Sequence, residues 1–298
     1  MESESDRVPK AFPNLPLPTL GGKQFWTDHC WQAGWRLQHN AVTGHWRVLD
    51  DHNVRRGWGN RAACEALIAA QAPRTELVDD HAVILLHGLM RSATSMKGLG
   101  DAITEAQIGT PICFEYASTR RSVADHASAL RDVVRSLPDD ARLSFVGHSL
   151  GNIVVRHAIA DWQSTDDQLT LQRLERVVML GPPNQGAGIA RQLARTGLFE
   201  VVVGRSGMQL GPDWSDFARH LATPPCPFGI VAGNLSETIP QNPLVDSAGD
   251  LVVTVDETRL DGAADFLEVA CLHSFLMDDP GVQEAVVHFL REGRFPRP

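Results

Sequence analysis

Gly147-His-Ser149-Leu-Gly151 sets a serine between two glycines, directly after the apolar run Leu143-Ser-Phe-Val146 and before a helical pattern that opens at Leu150. A serine hydroxyl attacks a carbonyl at neutral pH only if a neutral imidazole takes its proton and a carboxylate holds that imidazole in the right tautomer. A tight strand-to-helix turn supplies the first requirement of such chemistry. It puts the serine in a strained backbone conformation, lifts Oγ above the sheet, and faces the developing charge with the free amides of the next helix. The bare G-x-S-x-G pattern is weak, and its place between strand and helix is what makes Ser149 a candidate nucleophile.

Of twelve histidines, His273 and His288 lie near the C-terminus and suit the order nucleophile, acid, base. His288 falls inside an amphipathic helical pattern carried by Val282, Ala285, Val286, Phe289 and Leu290. His273 follows an expected strand over 266–271, at the carboxyl edge where open α/β sheets bind ligands, and is the preferred base. Three carboxylates, Asp246, Asp250 and Asp256, occupy the preceding segment. Asp250 stands at a turn, after Gly249 and before the apolar Leu251-Val-Val253, and is the preferred acid, with Asp246 as its alternative. Acyl transfer also needs two amides aimed at the oxyanion. Leu150 supplies one. The loop after Ala82-Val-Ile-Leu-Leu86 supplies the other, where Gly88 lets the backbone present the N–H of Leu89 ahead of that of Met90. His87 precedes the nucleophile and reads as a side chain that orders this turn.

These residues need a scaffold, and from residue 59 the hydrophobic period switches repeatedly between helix and strand, the mark of a parallel sheet with crossover helices. Strands are expected over 82–86, 112–116, 142–146, 176–180, 228–232 and 266–271. Helices are expected over 60–71, 95–106 and 150–162, from an N-cap at Ser122 to a stop at Pro138, and near the C-terminus. The run 82–86 is apolar throughout, as a strand buried on both faces should be. Ahead of this core, 25–75 is a Trp-rich extension holding five of the seven tryptophans, and Pro-rich residues 1–24 read as a flexible leader. Within the extension, 35–40 and 45–49 form a hairpin signal around Ala41-Val-Thr-Gly44, expected to extend a sheet; a tryptophan platform for carbohydrate or a partner is the sharper alternative. The core runs over 76–298 and contains an insertion at 184–226, longer than the roughly 20 residues of a plain crossover. Its spaced apolar residues suit two short helices, either a lid over an acyl pocket or additional core packing.

Composition narrows the function classes. Charged residues sum to −9, with a pI near 5.7 and no basic cluster, which argues against nucleic acid and anionic membrane as partners. No apolar run approaches the roughly 18–20 residues of a bilayer span, and the acidic start Met1-Glu-Ser-Glu-Ser-Asp6 is unlike a secretory signal, so a cytoplasmic location is expected. Five widely spaced cysteines without a CxxC pair suggest neither disulfides nor a thiolate metal site. Dinucleotide, P-loop and H-E-x-x-H patterns are all missing, and no cofactor or metal is implied.

Together His87-Gly88-Leu89-Met90, Gly147-His-Ser149-Leu-Gly151, Leu180-Gly-Pro-Pro-Asn-Gln-Gly-Ala187, Gly249-Asp-Leu-Val-Val253 and His273 span about residues 80–292. In this order the chain resembles the α/β-hydrolase superfamily in its lipase/esterase-like branch, including bacterial lipases and glycosylphosphatidylinositol inositol-deacylase-like proteins. The Gly-Pro-Pro-Asn-Gln-Gly turn resembles their TPH-x-G turn, with Pro183 and Asn184 in place of the usual pair. The resemblance implies a mostly parallel central sheet with helices on both faces. It implies Ser149, Asp250 and His273 as triad and the Leu89 and Leu150 amides as oxyanion hole. A small-molecule or lipid ester is the implied substrate. The same triad would also serve an acyltransferase, thioesterase or amidase, and a silent fold used as a binding protein is the alternative of another class.

Overall fold

The structure, a computed structural model, describes residues 17–19, 21–186, 214–235 and 252–297. Six of its strands build one parallel sheet: β6 (His81–Leu86), β7 (Thr110–Phe114), β8 (Arg142–His148), β9 (Leu174–Leu180), β10 (Phe228–Gly233) and β11 (Asp265–Val269). Their order across the sheet is β7-β6-β8-β9-β10-β11. Strand β6 is buried at every position because neighbours pair with it on both edges and helices cover both faces. Its side chains alternate between two cores. Ala82, Ile84 and Leu86 point to one side, toward α3 (Val123–Arg135) and α4 (Leu150–Ser164). Val83 and Leu85 point to the other, toward α2 (Lys97–Glu105) and the C-terminal helix Pro280–Glu292. The expected helix from Ser122 is capped as its sequence suggests, with a reciprocal box in which Ser122 and Asp125 bond each other's backbone N–H.

The N-terminal segment makes a sheet of its own. Strands β1 (Leu17–Pro18), β2 (Trp26–Gln32), β3 (Trp35–Asn40), β4 (Trp46–Leu49) and β5 (Val54–Gly59) pair antiparallel in the order β1-β5-β4-β3-β2. Helix α1 (Arg61–Gln71) covers one face, burying Cys64 and Ile68 with Trp35, Leu37 and Val48. The hairpin over 35–40 and 46–49 therefore lies inside this second sheet and does not extend the main one. The reason is visible at the junction. Asp28 N donates to Glu115 O at 2.9 Å, but the return bonds come from side chains, with Glu115 N donating to Asp28 Oδ2 at 2.8 Å and Ala117 N to Thr27 Oγ1 at 3.2 Å. Side-chain acceptors end the ladder there. None of the five tryptophans in this segment is exposed, since Trp26 lies under Arg47 and Trp46 against His39, so they offer no open platform. The last residues of the expected leader are tied down as well, Thr19 N donating to Asn53 O at 3.1 Å.

Two buried histidines give the fold an acid-sensitive stability. His126 on α3 is fully buried with neither ring nitrogen hydrogen-bonded among the described residues, and burial pushes its pKa down to about 3; His148 is depressed well below its usual value by the same cause. For a histidine whose folded pKa lies below the unfolded value of about 6.5, the unfolded chain gains protons first as pH falls. Stability contributed by the neutral form is thus complete above pH 6.5 and is lost on the way down to pH 3. The difference in unfolding free energy between wild type and His126→Phe should change by about 1.4 kcal/mol per pH unit between pH 6 and 4. Urea titrations at several pH values check this, and a constant difference would refute it.

Candidate active site

Ser149 sits between β8 and α4 with φ 50° and ψ −117°, a conformation that residues with a side chain rarely adopt. The turn is as tight as its glycines suggest. A Cβ on Gly147 would stand 2.7 Å from the Asn152 amide nitrogen, and one on Gly151 would stand 2.5 Å from the Leu86 carbonyl oxygen. Ser149 N donates to Leu180 O at 2.9 Å, and the Asn152 side-chain amide donates to both Ser149 O and Leu180 O, at 3.1 and 3.2 Å. These bonds lock the serine backbone to the end of β9.

The loop after β6 packs directly on this turn. A Cβ on Gly88 would stand 2.7 Å from His148 Nδ1 and 3.3 Å from Ser149 Cβ, so only glycine allows the approach. The Met90 amide is occupied, donating to Ser118 Oγ at 3.0 Å. Leu89 and Leu150 keep amides without a hydrogen-bond partner among the described residues, and these are the two expected oxyanion donors. His87 is structural: its Nδ1–H donates to Gly88 O at 2.8 Å and its ring stacks on Tyr116.

His273 lies in a short 3-10 turn after β11, 6% exposed, while its neighbours Leu272 and Phe275 are 36% and 55% exposed. It reaches the serine turn through two contacts. Its ring lies against Gly181, the residue after the Leu180 carbonyl that holds Ser149, where a Cβ would stand 2.9 Å from Nδ1. Its carbonyl accepts from His148 Nε2 at 2.9 Å, the two rings 4.9 Å apart. Burial keeps His148 neutral, with the nearby His273 and Arg91 adding to the shift, so its Nε2–H serves as a fixed donor to the His273 loop. Arg91 ties the same loop, donating to Ser274 O at 2.9 Å.

The other candidates fall elsewhere. His288 sits on the C-terminal helix, with Nδ1 on Arg294 O at 2.8 Å. The side chain of Asp256 is 91% exposed and 3.5 Å from Arg259, an open solvent position unlike that of a shielded acid. Asp246 and Asp250 lie outside the described residues. So does most of the expected insertion, of which the described end, 214–226, packs Phe217 on His157 and returns Ala222 O to Arg156 Nε at 2.9 Å. That end belongs to the core.

Sequence reading passed over His148, Asn152, Asn184 and Arg91. Asn184, 4% exposed, accepts from Arg156 at 2.9 Å and donates to Thr258 O at 2.7 Å, which braces the chain that follows the acid segment. Only Asn184 carried a signal, through its place in the Gly-Pro-Pro-Asn-Gln-Gly turn.

Residues 77–181, about a third of the chain, match the family described as "Putative serine esterase (DUF676)", a span that includes Leu89, Ser149 and Leu150. No curated protein sequence matches the chain. Among solved structures, the lipase BlEst2 of Bacillus licheniformis in its mature form is 17% identical with a TM-score of 0.50, covering 66% of this chain and 86% of that one. The phospholipase PlaB of Legionella pneumophila is 16% identical with a TM-score of 0.53, covering 72% of this chain and 60% of that one. At such identities the likeness is one of fold. With its six-stranded parallel sheet, the helices on both faces and the serine turn at the end of β8, the chain has the α/β-hydrolase fold.

Proposed function

We propose that this protein is a serine hydrolase that cleaves carboxylic esters through an acyl-enzyme. Ser149 Oγ attacks the ester carbonyl as His273 takes its proton, and the carbonyl oxygen becomes an oxyanion held by the Leu89 and Leu150 amides. Collapse breaks the bond to the alkoxy group, which leaves with the proton from His273. Water then attacks the acyl-enzyme with His273 as base again, releasing the acid and restoring Ser149. Asp250 fills the role of the acid that orients His273. The reading is carried by the strained Ser149 backbone set beside two amides that are unpaired among the described residues.

Exposed Met90, Leu272 and Phe275, at 57%, 36% and 55%, flank Leu89 and His273 and favour an apolar acyl group. Each buried methylene is worth about 0.8 kcal/mol. A p-nitrophenyl ester series from two to sixteen carbons should therefore show kcat/KM for the octanoate at least ~10-fold above the acetate, along with labelling of Ser149 by a fluorophosphonate. No hydrolysis of any ester and no labelling would overturn the reading.

A further inference from the structure

We infer that the N-terminal segment is a positioning device for the Leu89 oxyanion amide, with Gln24, just ahead of β2, as its contact residue. The inference rests on the reading above, in which Leu89 donates to the oxyanion. Oxyanion donors are effective only if fixed before charge develops, because reorganisation during the reaction would consume the gain. Inside the Leu89 loop, Arg91 N and the His87 ring both donate to Gly88 O, at 3.2 and 2.8 Å, which leaves Leu89 and Met90 unheld from within. Met90 has φ 60° and an exposed side chain, and the loop carries no regular structure up to Ser92.

The restraint on Met90 comes from outside the loop. The Met90 amide rests on Ser118 Oγ, a fully buried hydroxyl, and the Gln24 carboxamide grips that hydroxyl with Nε2 at 3.0 Å and Oε1 at 3.1 Å. Gln24 Nε2 also donates to the Arg91 carbonyl oxygen, and Oε1 accepts from Thr119 N at 3.2 Å and Thr119 Oγ1 at 3.0 Å. One side chain thus joins residues 90–91 to residues 118–119. The N-terminal sheet sets the platform on which it stands, since Asp28 and Thr27 hold the backbone at 115–117. Glu115 in turn accepts from Ala93 N at 3.1 Å, at the far end of the same loop. Arg91 carries the linkage on to Ser274, beside the base. Among the described residues, the polar contacts of the Gln24 side chain fall on the two segments that place Leu89, which distinguishes this side chain from a general stabiliser of the docked sheet.

Full-length Gln24→Ala provides the test. Loss of a direct oxyanion donor costs ~10²–10³ in kcat. Misplacing one through a lost brace should lower kcat by ~10–10², leave KM within about twofold, and weaken a trifluoromethyl ketone inhibitor, which forms an oxyanion on Ser149, by the same factor as kcat. Gln24→Glu keeps the acceptor for Thr119 but cannot donate to Arg91 O, and should show a similar loss in kcat. Ser118→Ala should be strongly non-additive with Gln24→Ala, as expected for two members of one brace. Wild-type kcat and ketone affinity in both Gln24 variants would overturn the inference alone. So would a loss of thermal stability with kcat, KM and ketone affinity changing independently. Failure of wild type itself to label at Ser149 would overturn the functional reading, and the inference with it.

Discussion

Ser149→Gly should abolish turnover and stabilise the protein at once. At φ 50° and ψ −117° the serine occupies backbone space that glycine enters freely, and such a residue stores about 1–3 kcal/mol. Glycine relieves that strain but returns some freedom to the unfolded chain, worth about 0.4–1 kcal/mol. A net gain of about 1 kcal/mol is expected, visible as a rise in Tm of about 2–4 °C. Without the hydroxyl, kcat should fall by at least about 10³-fold, along with all fluorophosphonate labelling. Ser149→Ala separates the two effects. It keeps the strained backbone and a side chain, so it should lose activity equally while its Tm stays near wild type. Activity within tenfold of wild type in either variant would remove Ser149 from the nucleophile's role, and a lowered Tm in Ser149→Gly would show that the turn is unstrained.

Asp250→Asn should lower kcat by about 10⁴-fold, the penalty for leaving a catalytic histidine in the wrong tautomer. Asp256→Asn should stay within twofold, since the Asp256 carboxylate is 91% exposed and pairs with Arg259 at the surface. The chain after Asp250 gives this contrast its physical basis. Val253 is 3% exposed, Thr254 and Glu257 cap the short helix Val255–Thr258 reciprocally, and Gln185 N and the Asn184 side chain bind that helix at Glu257 O and Thr258 O. The segment is thereby returned to the turn that begins at Gly181, against which the His273 ring lies. Steady-state kinetics on the three variants Asp246→Asn, Asp250→Asn and Asp256→Asn decide the matter. A collapse in Asp246→Asn with Asp250→Asn near wild type would move the acid to 246.

The parallel sheet was legible because strands covered on both faces tend to carry unbroken apolar runs, and residues 82–86 of β6 and 177–180 of β9 are written that way. The serine turn was legible for a different reason: the clashes that demand Gly147 and Gly151 involve the turn itself and the strand beside it, so the residues carrying the constraint lie within five positions. Strand β2, Trp-Thr-Asp-His-Cys-Trp-Gln, was not, since Thr27 and Asp28 spend their polar atoms on a partner almost ninety residues away.

The residues proposed as nucleophile, base and oxyanion loop can be read from the sequence alone, because each is marked by local backbone geometry or by its place at a strand end. What holds them to one another was decided only in three dimensions. His148 reaches the carbonyl of His273, Asn152 the end of β9, and Gln24 the loop at Ser118, through hydrogen bonds between segments remote in the chain. A hydrogen bond of that kind leaves no periodicity and no spacing behind it, so it becomes visible only when the chain is folded.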